Sequence, residues 1–455
     1  MPTAYTILFL LLILVAAATW IIPAGSYDYV DGVPVAGTYH AVEQNPQGVG
    51  DVLKAAFSGF YDAVDVCIFI LMVGGFLGVV MKTGAVDAGV ANIIRLLGGR
   101  EKWLIPILML LFGLGGTTYG MWEETMAFYP LLIPVFLAAG YDAVVGISVI
   151  LLGAGAGVIA STVNPFATGI AAGFAGVSLG EGIVLRLLEW VAFEAAAIWF
   201  VMAYAAKVKK NPSKSVVGVG AGKIQVSMDQ QVPFTAKRKV IMALFTLTFL
   251  IMVYAVVPFD EMGLPLPTLG WWFPELSALF LAAGVVIGLI DRMGEEELVE
   301  TYVAGCADLL GVAFIIGISR GITVLMRDGA ITDTILHWGE AALSGAGAVS
   351  FTLLVFVLYL PLTILIPSSS GLATLSIPIV APLGKFAGVG GDLVVTAFQS
   401  ASGLVNILTP TAAVVMGALA LGHVPYDRWV KYVWKLMLWF LLLALVFLVA
   451  GVLLG

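Results

Sequence analysis

MKTGAVDAGV at Met81–Val90 and MRDGAITDTI at Met326–Ile335 read as two versions of one motif, and that repetition decides how the chain is organised. Each closes a long apolar segment. Each leads into a second apolar run, a cluster of polar and small residues, and two prolines four apart: Pro130 and Pro134, then Pro378 and Pro382. A duplicated, strongly apolar chain is the build in which two related halves enclose a polar site at mid-membrane. The expected fold is an all-α polytopic membrane protein made of inverted repeats.

The 455 residues are 61% apolar and 11% charged, with a mean hydropathy of +1.06, which excludes a soluble globular chain. Nine full crossings are expected near 5–22, 62–81, 142–164, 183–206, 240–257, 272–290, 305–326, 392–409 and 430–454. Two further apolar stretches, 103–139 and 347–388, are each broken by a polar tip and read as re-entrant hairpins. Such non-helical backbone survives at membrane depth only where it is buried in protein or lines a wet cavity. The chain then divides into a first repeat over 1–206, a basic linker over 207–239, a connector helix over 240–257 that makes the repeats inverted, and a second repeat over 258–455.

Orientation follows from Lys and Arg. The linker with Lys207 carries eight basic residues against Asp229 alone, and Lys82, Arg95, Arg100 and Lys102 form another basic cluster. Both belong inside. Pro23–Gly50 has Asp28, Asp31 and Glu43 but no Lys or Arg, and belongs outside. The amino terminus is thus expected in the cytoplasm, with the protein in the cell's inner (plasma) membrane. Asp291–Ala304 falls inside although it is acidic, because acidic residues weigh little in this rule. Tyr5–Ile22 lacks a basic lead-in and a small-residue cleavage site, so it reads as a retained helix. The amphipathic stretches Asp51–Tyr61 and Glu295–Ala304 are expected along the interface. Trp20, Trp103, Trp271 and Trp272 suit the aromatic belt.

A net charge of −8 without a basic stripe gives no footing for nucleic acid. Cys67 and Cys306 lie in apolar helices and read as inert thiols. His40, His337 and His423 lie near segment ends, so no histidine metal centre and no cofactor is expected.

Polar groups and helix breakers coincide in four places: GGTTYGMWEET (Gly115–Thr125), GAGAGVIASTVNPFATG (Gly153–Gly169), IPSSSGLAT (Ile366–Thr374) and FQSASGLVNILTPT (Phe398–Thr411). Gly and Pro interrupt the helix and free backbone groups, while hydroxyls and amides add oxygen donors. Half-helix ends then face a bound anion or cation. Runs such as Gly153–Gly157 equally serve close helix packing. Substrate-contacting candidates are Thr117, Thr118, Glu123, Glu124, Asn164, Pro165, Ser368, Ser369, Ser370, Gly371, Asn406, Thr409, Pro410 and Thr411. Glu123 and Glu124 carry the sharpest signal, since carboxylates between apolar runs are costly without water, a cation or a basic partner. Adjacent residues cannot share a helix face, so one is expected at the cavity and the other bracing the hairpin; a wet interface is the plainer alternative. Arg320, two turns inside its helix, either pairs with an acid such as Asp308 or a glutamate, or holds a substrate carboxylate. Asp62, Asp65, Glu189 and Glu194 are expected at interfaces.

TTYGMWEETMAFYPLLIP, GYDAVVG, STVNPFATGIAAGFAG, the IPSSSG–SIPIVAPL block and the NILTPT–PYDRWVKY ending resemble the YfcC-type branch of the anaerobic four-carbon dicarboxylate carrier family, within the wider ion transporter superfamily. The likeness runs over nearly the whole chain. It implies a secondary carrier of dicarboxylates or basic amino acids, a homodimer, a transport domain holding both hairpins, elevator-like movement and sodium coupling. Carried over, it points to Glu123, Glu124, Ser161, Thr162, Asn164 and Pro165, and to Ser368, Ser370, Gly371, Asn406, Pro410 and Thr411. Sodium is then expected among Ser161, Thr162, Asn164, Ser402 and Asn406. The chain departs from the family where Ser369 and Leu372 replace Gly and Gln, and where Ala401-Ser402-Gly403 replaces Gly-Asp-Gly.

The leading expectation is a cation-coupled carrier of a small carboxylate-bearing metabolite, embedded in the lipid bilayer. The paired glutamates and single deep Arg favour an amino acid, basic ones included, over a four-carbon dicarboxylate; in the alternative the glutamates serve the coupling ion, sodium or protons. A passive channel for small solutes or anions is the alternative. No nucleophile–base set supports an enzyme.

Overall fold

The structure is a computed structural model describing residues 4–30, 33–86, 88–89, 92, 100–118, 120–178, 180–218, 233–256, 259 and 265–454. Asp31, Arg95, Tyr119 and the 219–232 part of the expected linker lie outside the described residues. Helices α1 (Ala4–Ala18), α2 (Val49–Asp62) and α3 (Val64–Lys82) open the chain. Helices α4 (Leu104–Thr118) and α5 (Tyr129–Ala138) flank the first polar tip, and α6 (Ala143–Ile159) and α7 (Ile170–Ala175) flank the first break. Then come α8 (Ile183–Lys210), α9 (Ala236–Val256), α10 (Phe273–Asp291), α11 (Glu295–Asp328) and α12 (Thr332–Leu343). Helices α13 (Ala348–Leu365) and α14 (Ser369–Phe386) flank the second tip, α15 (Gly391–Asn406) and α16 (Ala413–Leu421) the second break, and α17 (Tyr426–Leu454) closes the chain. Two short antiparallel pairs, Gly25–Ser26 with His40–Ala41 and Tyr29–Val30 with Val33–Pro34, shape the loop between α1 and α2.

Among the described residues, α3, α10, α11, α13 and α17 are long and apolar enough to cross a membrane by length and composition. Of the arms at the polar tips, α13 is among these five and α4, α5 and α14 are not. Helix α4 has 15 residues and α5 has 10. At 1.5 Å per residue these reach about 22 and 15 Å, short of the ~30 Å hydrocarbon layer. Helices α13 and α14 have 18 residues each, or about 27 Å. Both proline pairs sit in the second arm of their hairpin, in α5 and α14.

Packing repeats when the halves are exchanged. Helix α4 packs on α6 and α8, as α13 packs on α15 and α17; α1 lies against α11, as α10 lies against α3. Glycines permit the closest crossings. A Cβ on Gly59 would lie 2.1 Å from the Gly317 carbonyl, and one on Gly74 would lie 2.5 Å from that of Gly305. The Gly153–Gly157 run belongs to a second seam, where a Cβ on Gly157 would lie 2.2 Å from the Gly113 carbonyl. These small residues serve backbone contact.

Two expectations need correction. Glu295–Ala304 is no separate interfacial helix but the start of α11, which runs unbroken for 34 residues, or about 51 Å. Its first turn carries Glu295, Glu296 and Glu297, which favour a helix amino end. The α2–α3 junction instead bends at Ala63, where φ is −129° and ψ 27°. Glu189 and Glu194 are not interfacial either: they are 0% and 2% exposed. Helix α8 packs on α6, α17 and α4, and Glu189 accepts a bond from Ser400 of α15 at 2.8 Å. Glu194 fills the space over Gly113, where a Cβ would lie 2.5 Å from its Oε2. Asp62 is exposed and pairs with Arg327 at 3.8 Å.

Candidate functional site

At the first tip, α4 stops at Thr118 and the chain turns at Gly120 with φ +79°. Only glycine fits this place, because a Cβ there would also lie 2.5 Å from Asn164 Oδ1. The tip is stitched to the first break by Thr117 and Thr162. The Thr117 hydroxyl donates to the Ala160 carbonyl at 2.8 Å, and the Thr162 N–H and hydroxyl donate to the Thr117 carbonyl at 2.8 and 2.9 Å. Thr118 donates within its own helix to Leu114. Glu124 is buried and accepts the Trp122 N–H at 3.1 Å, which braces the tip. Glu123 turns the other way, into a cavity.

The first break exposes carbonyls that polar side chains satisfy, as buried backbone requires. Gln399 Nε2 donates to Ile159 and Ser161 at 3.3 and 3.1 Å, and the Thr168 hydroxyl bonds Gln399 Oε1 and, at 3.1 Å, Ser161 Oγ. Asn164 Oδ1 accepts the Ala167 N–H at 3.2 Å, just before Pro165 opens a π-helical turn to Gly169.

The second break is satisfied from elsewhere in the fold. Trp429 Nε1 donates to Ile407 at 3.1 Å, the Tyr426 hydroxyl to Leu408 at 2.8 Å, and the Ser319 hydroxyl to the Thr411 carbonyl. The Thr409 and Thr411 hydroxyls, either side of Pro410, lie 2.8 Å apart. One turn apart on α15, Ser402 Oγ and Asn406 Oδ1 are buried with no partner among the described residues. At the second tip, Ser368 Oγ accepts the Gly371 N–H at 3.2 Å and caps α14; Ser369, Ser370 and Gly371 are half-buried.

A cavity of about 30 Å³ joins several of these elements. Trp122 and Glu123 reach it from the first tip, Pro367 from the second, Thr411–Val414 from the second break, and Ser319 and Arg320 from α11. That volume holds roughly one or two waters. Arg320 and Glu123 are close enough for their charges to interact, with no ion pair as short as 4 Å at Arg320 among the described residues. Asp308, twelve residues earlier on the same helix, is about 18 Å away along the axis. Of the other expected residues, Thr117, Thr118, Ser161, Thr162, Asn164, Ser368–Gly371, Ser402, Asn406, Thr409 and Pro410 do not line this cavity, and the side chain of Pro165 lies outside the described residues.

A vestibule of about 1290 Å³ approaches the same place. It runs between α3 and α11 on one side and α16 and the start of α17 on the other. Its lining includes Lys82, Asp308, His423, Asp427 and Arg428 as well as Ile315 and Met416, which are close in sequence to Ile316 and Val414 of the small cavity. Sequence reading missed Gln399 and Thr168, although both stand inside quoted polar stretches. It also missed Trp429, within the quoted PYDRWVKY ending, and Ser319, for which no local signal exists.

The family model for the C4-dicarboxylate anaerobic carrier matches residues 1–453. An uncharacterised protein of Haemophilus influenzae is 36% identical over 503 residues, covering 99% of this chain and 97% of its own. YfcC of Escherichia coli K12, a proposed basic amino acid antiporter, is 30% identical over 480 residues, covering 95% and 92%. Among solved structures, the YdaH transporter of Alcanivorax borkumensis aligns over 98% of each chain at 14% identity and a TM-score of 0.43. MtrF of Neisseria gonorrhoeae aligns over 98% of this chain and 94% of its own, at 18% identity and the same score.

Proposed function

Because the chain belongs to the C4-dicarboxylate anaerobic carrier family, we propose that this membrane transporter is a secondary carrier of a small carboxylate-bearing metabolite, an amino acid with basic ones included. One observation carries the reading: Glu123 and Arg320, of opposite charge, face one small cavity. Arg320 takes the cargo carboxylate as a charge-assisted pair, and Glu123 takes an ammonium. A four-carbon dicarboxylate would bring its second carboxylate against Glu123. The cavity is too small for any such cargo, so hairpin movement must widen it. In this reading the chain is two inverted repeats with nine crossings and two re-entrant hairpins. The hairpins and breaks travel as one elevator-type unit against α3 and α11 within a homodimer.

The coupling cation is sodium, and Ser402 Oγ and Asn406 Oδ1 are its ligands. Both are buried oxygen atoms without a partner among the described residues, the kind of group a hard cation satisfies. Ser161 and Thr162 already have hydrogen-bond partners and are the weaker candidates.

Counterflow in proteoliposomes tests the reading. Labelled amino acid should enter faster when vesicles are preloaded with unlabelled cargo, and a sodium gradient should raise accumulation. Unsaturable leak without counterflow would establish the passive channel instead. Counterflow of succinate but of no amino acid would overturn the cargo assignment.

A further inference from the structure

A second cavity, of about 390 Å³, opens on the basic end of the molecule, between the start of α4 and the end of α8. Lys102, Lys209 and Lys210 stand at its rim with Tyr141. Its walls are Ile105, Met202, Ala205 and Ala206. The α8 contribution is one stripe of the helix, spaced as a single face must be. Along that stripe chemistry changes with depth: a thioether, then two alanines that leave room, then two ammonium groups. Lys209 lies 4.9 Å from the Tyr141 ring centre and 3.1 Å from Glu101 Oε2. Glu101 thus compensates one of the three lysines and leaves two charges over. Trp103, 54% exposed, marks the same level as interfacial.

We infer that this groove is a binding site for an anionic phospholipid, whose phosphate meets Lys102 and Lys210 while an acyl chain lies along Ala205 and Ala206. Charge complementarity selects the occupant. A basic pocket between membrane helices, on the side that Lys and Arg make cytoplasmic, matches a phosphodiester headgroup with its chain in the apolar part. A soluble anion would gain nothing from the apolar wall, and a zwitterionic lipid would carry its own cation to the lysines. The site lies apart from Glu123 and Arg320 and stands whatever the cargo.

The test is thermal unfolding of delipidated protein in detergent, with added phosphatidylglycerol, phosphatidylcholine or inorganic phosphate. Phosphatidylglycerol should raise the transition saturably and the other two should not. Lys102→Gln/Lys210→Gln should weaken the phosphatidylglycerol response at least tenfold in concentration, while its lipid-free melting stays at wild type because neither lysine is buried. Lys431→Gln, a basic residue outside the groove, should respond as wild type. Equal shifts from phosphatidylcholine or from phosphate, or an undiminished response in the double variant, would overturn the assignment.

Discussion

Replacing Glu123 and Glu124 one at a time separates a cargo contact from a brace. Glutamine keeps the shape of either side chain and removes its charge. Glu123 faces a space with room for one or two waters, so little solvent screens its contact with a cargo ammonium. A hydrogen bond to a charged group is worth about 1.5–3 kcal/mol, so Glu123→Gln should weaken amino acid binding by roughly tenfold to 150-fold. It should also ease entry of a second carboxylate, so succinate should compete better against the variant than against wild type. Glu124 accepts the Trp122 N–H at 3.1 Å. A glutamine oxygen accepts that bond too, so Glu124→Gln should cost within about 1 kcal/mol, read mainly as stability. The assay is uptake of labelled arginine into proteoliposomes, competed by lysine, a neutral amino acid and succinate, with melting recorded for each variant. Folded Glu123→Gln protein with wild-type affinities, or a larger affinity loss in Glu124→Gln, would refute the division of roles.

Gly157→Val should lower the melting temperature sharply, since even a Cβ would lie 2.2 Å from the Gly113 carbonyl; Gly173→Ala, with open space around it, should change little. Overpacking of this kind costs about 1–3 kcal/mol or more. Ser402→Ala with Asn406→Ala should abolish the sodium dependence of ligand-induced stabilisation, and a full sodium response in that variant would remove both from the cation site. Trp429→Phe strands the Ile407 carbonyl at the second break and should destabilise by about 1–3 kcal/mol, measured by thermal unfolding.

Local chemistry made much of this legible. The four polar interruptions in apolar sequence mark both tips and both breaks, because an uncompensated carboxylate, amide or proline is too costly in a membrane helix to be incidental. The Gly153–Gly157 run announced close packing, and it packs. Other features had no local mark. Glu189 and Glu194 look interfacial in sequence because only their distance from a segment end can be counted. Their burial comes with packing of α8 on α4, α6 and α17, and Glu189 meets its partner Ser400 only in the folded chain.

Sequence alone marked a helical membrane chain and where its helices break, since hydropathy, helix breakers and the cost of buried polar groups act within a few residues. Which polar groups meet was settled only by tertiary packing. Glu123 reaches the cavity while Glu124 braces its own turn, Arg320 arrives from another helix, and Gln399, Ser319 and Trp429 satisfy broken backbone from across the fold. A freed carbonyl demands a donor but does not specify which one, and the answer depends on distances that exist only once the helices have packed.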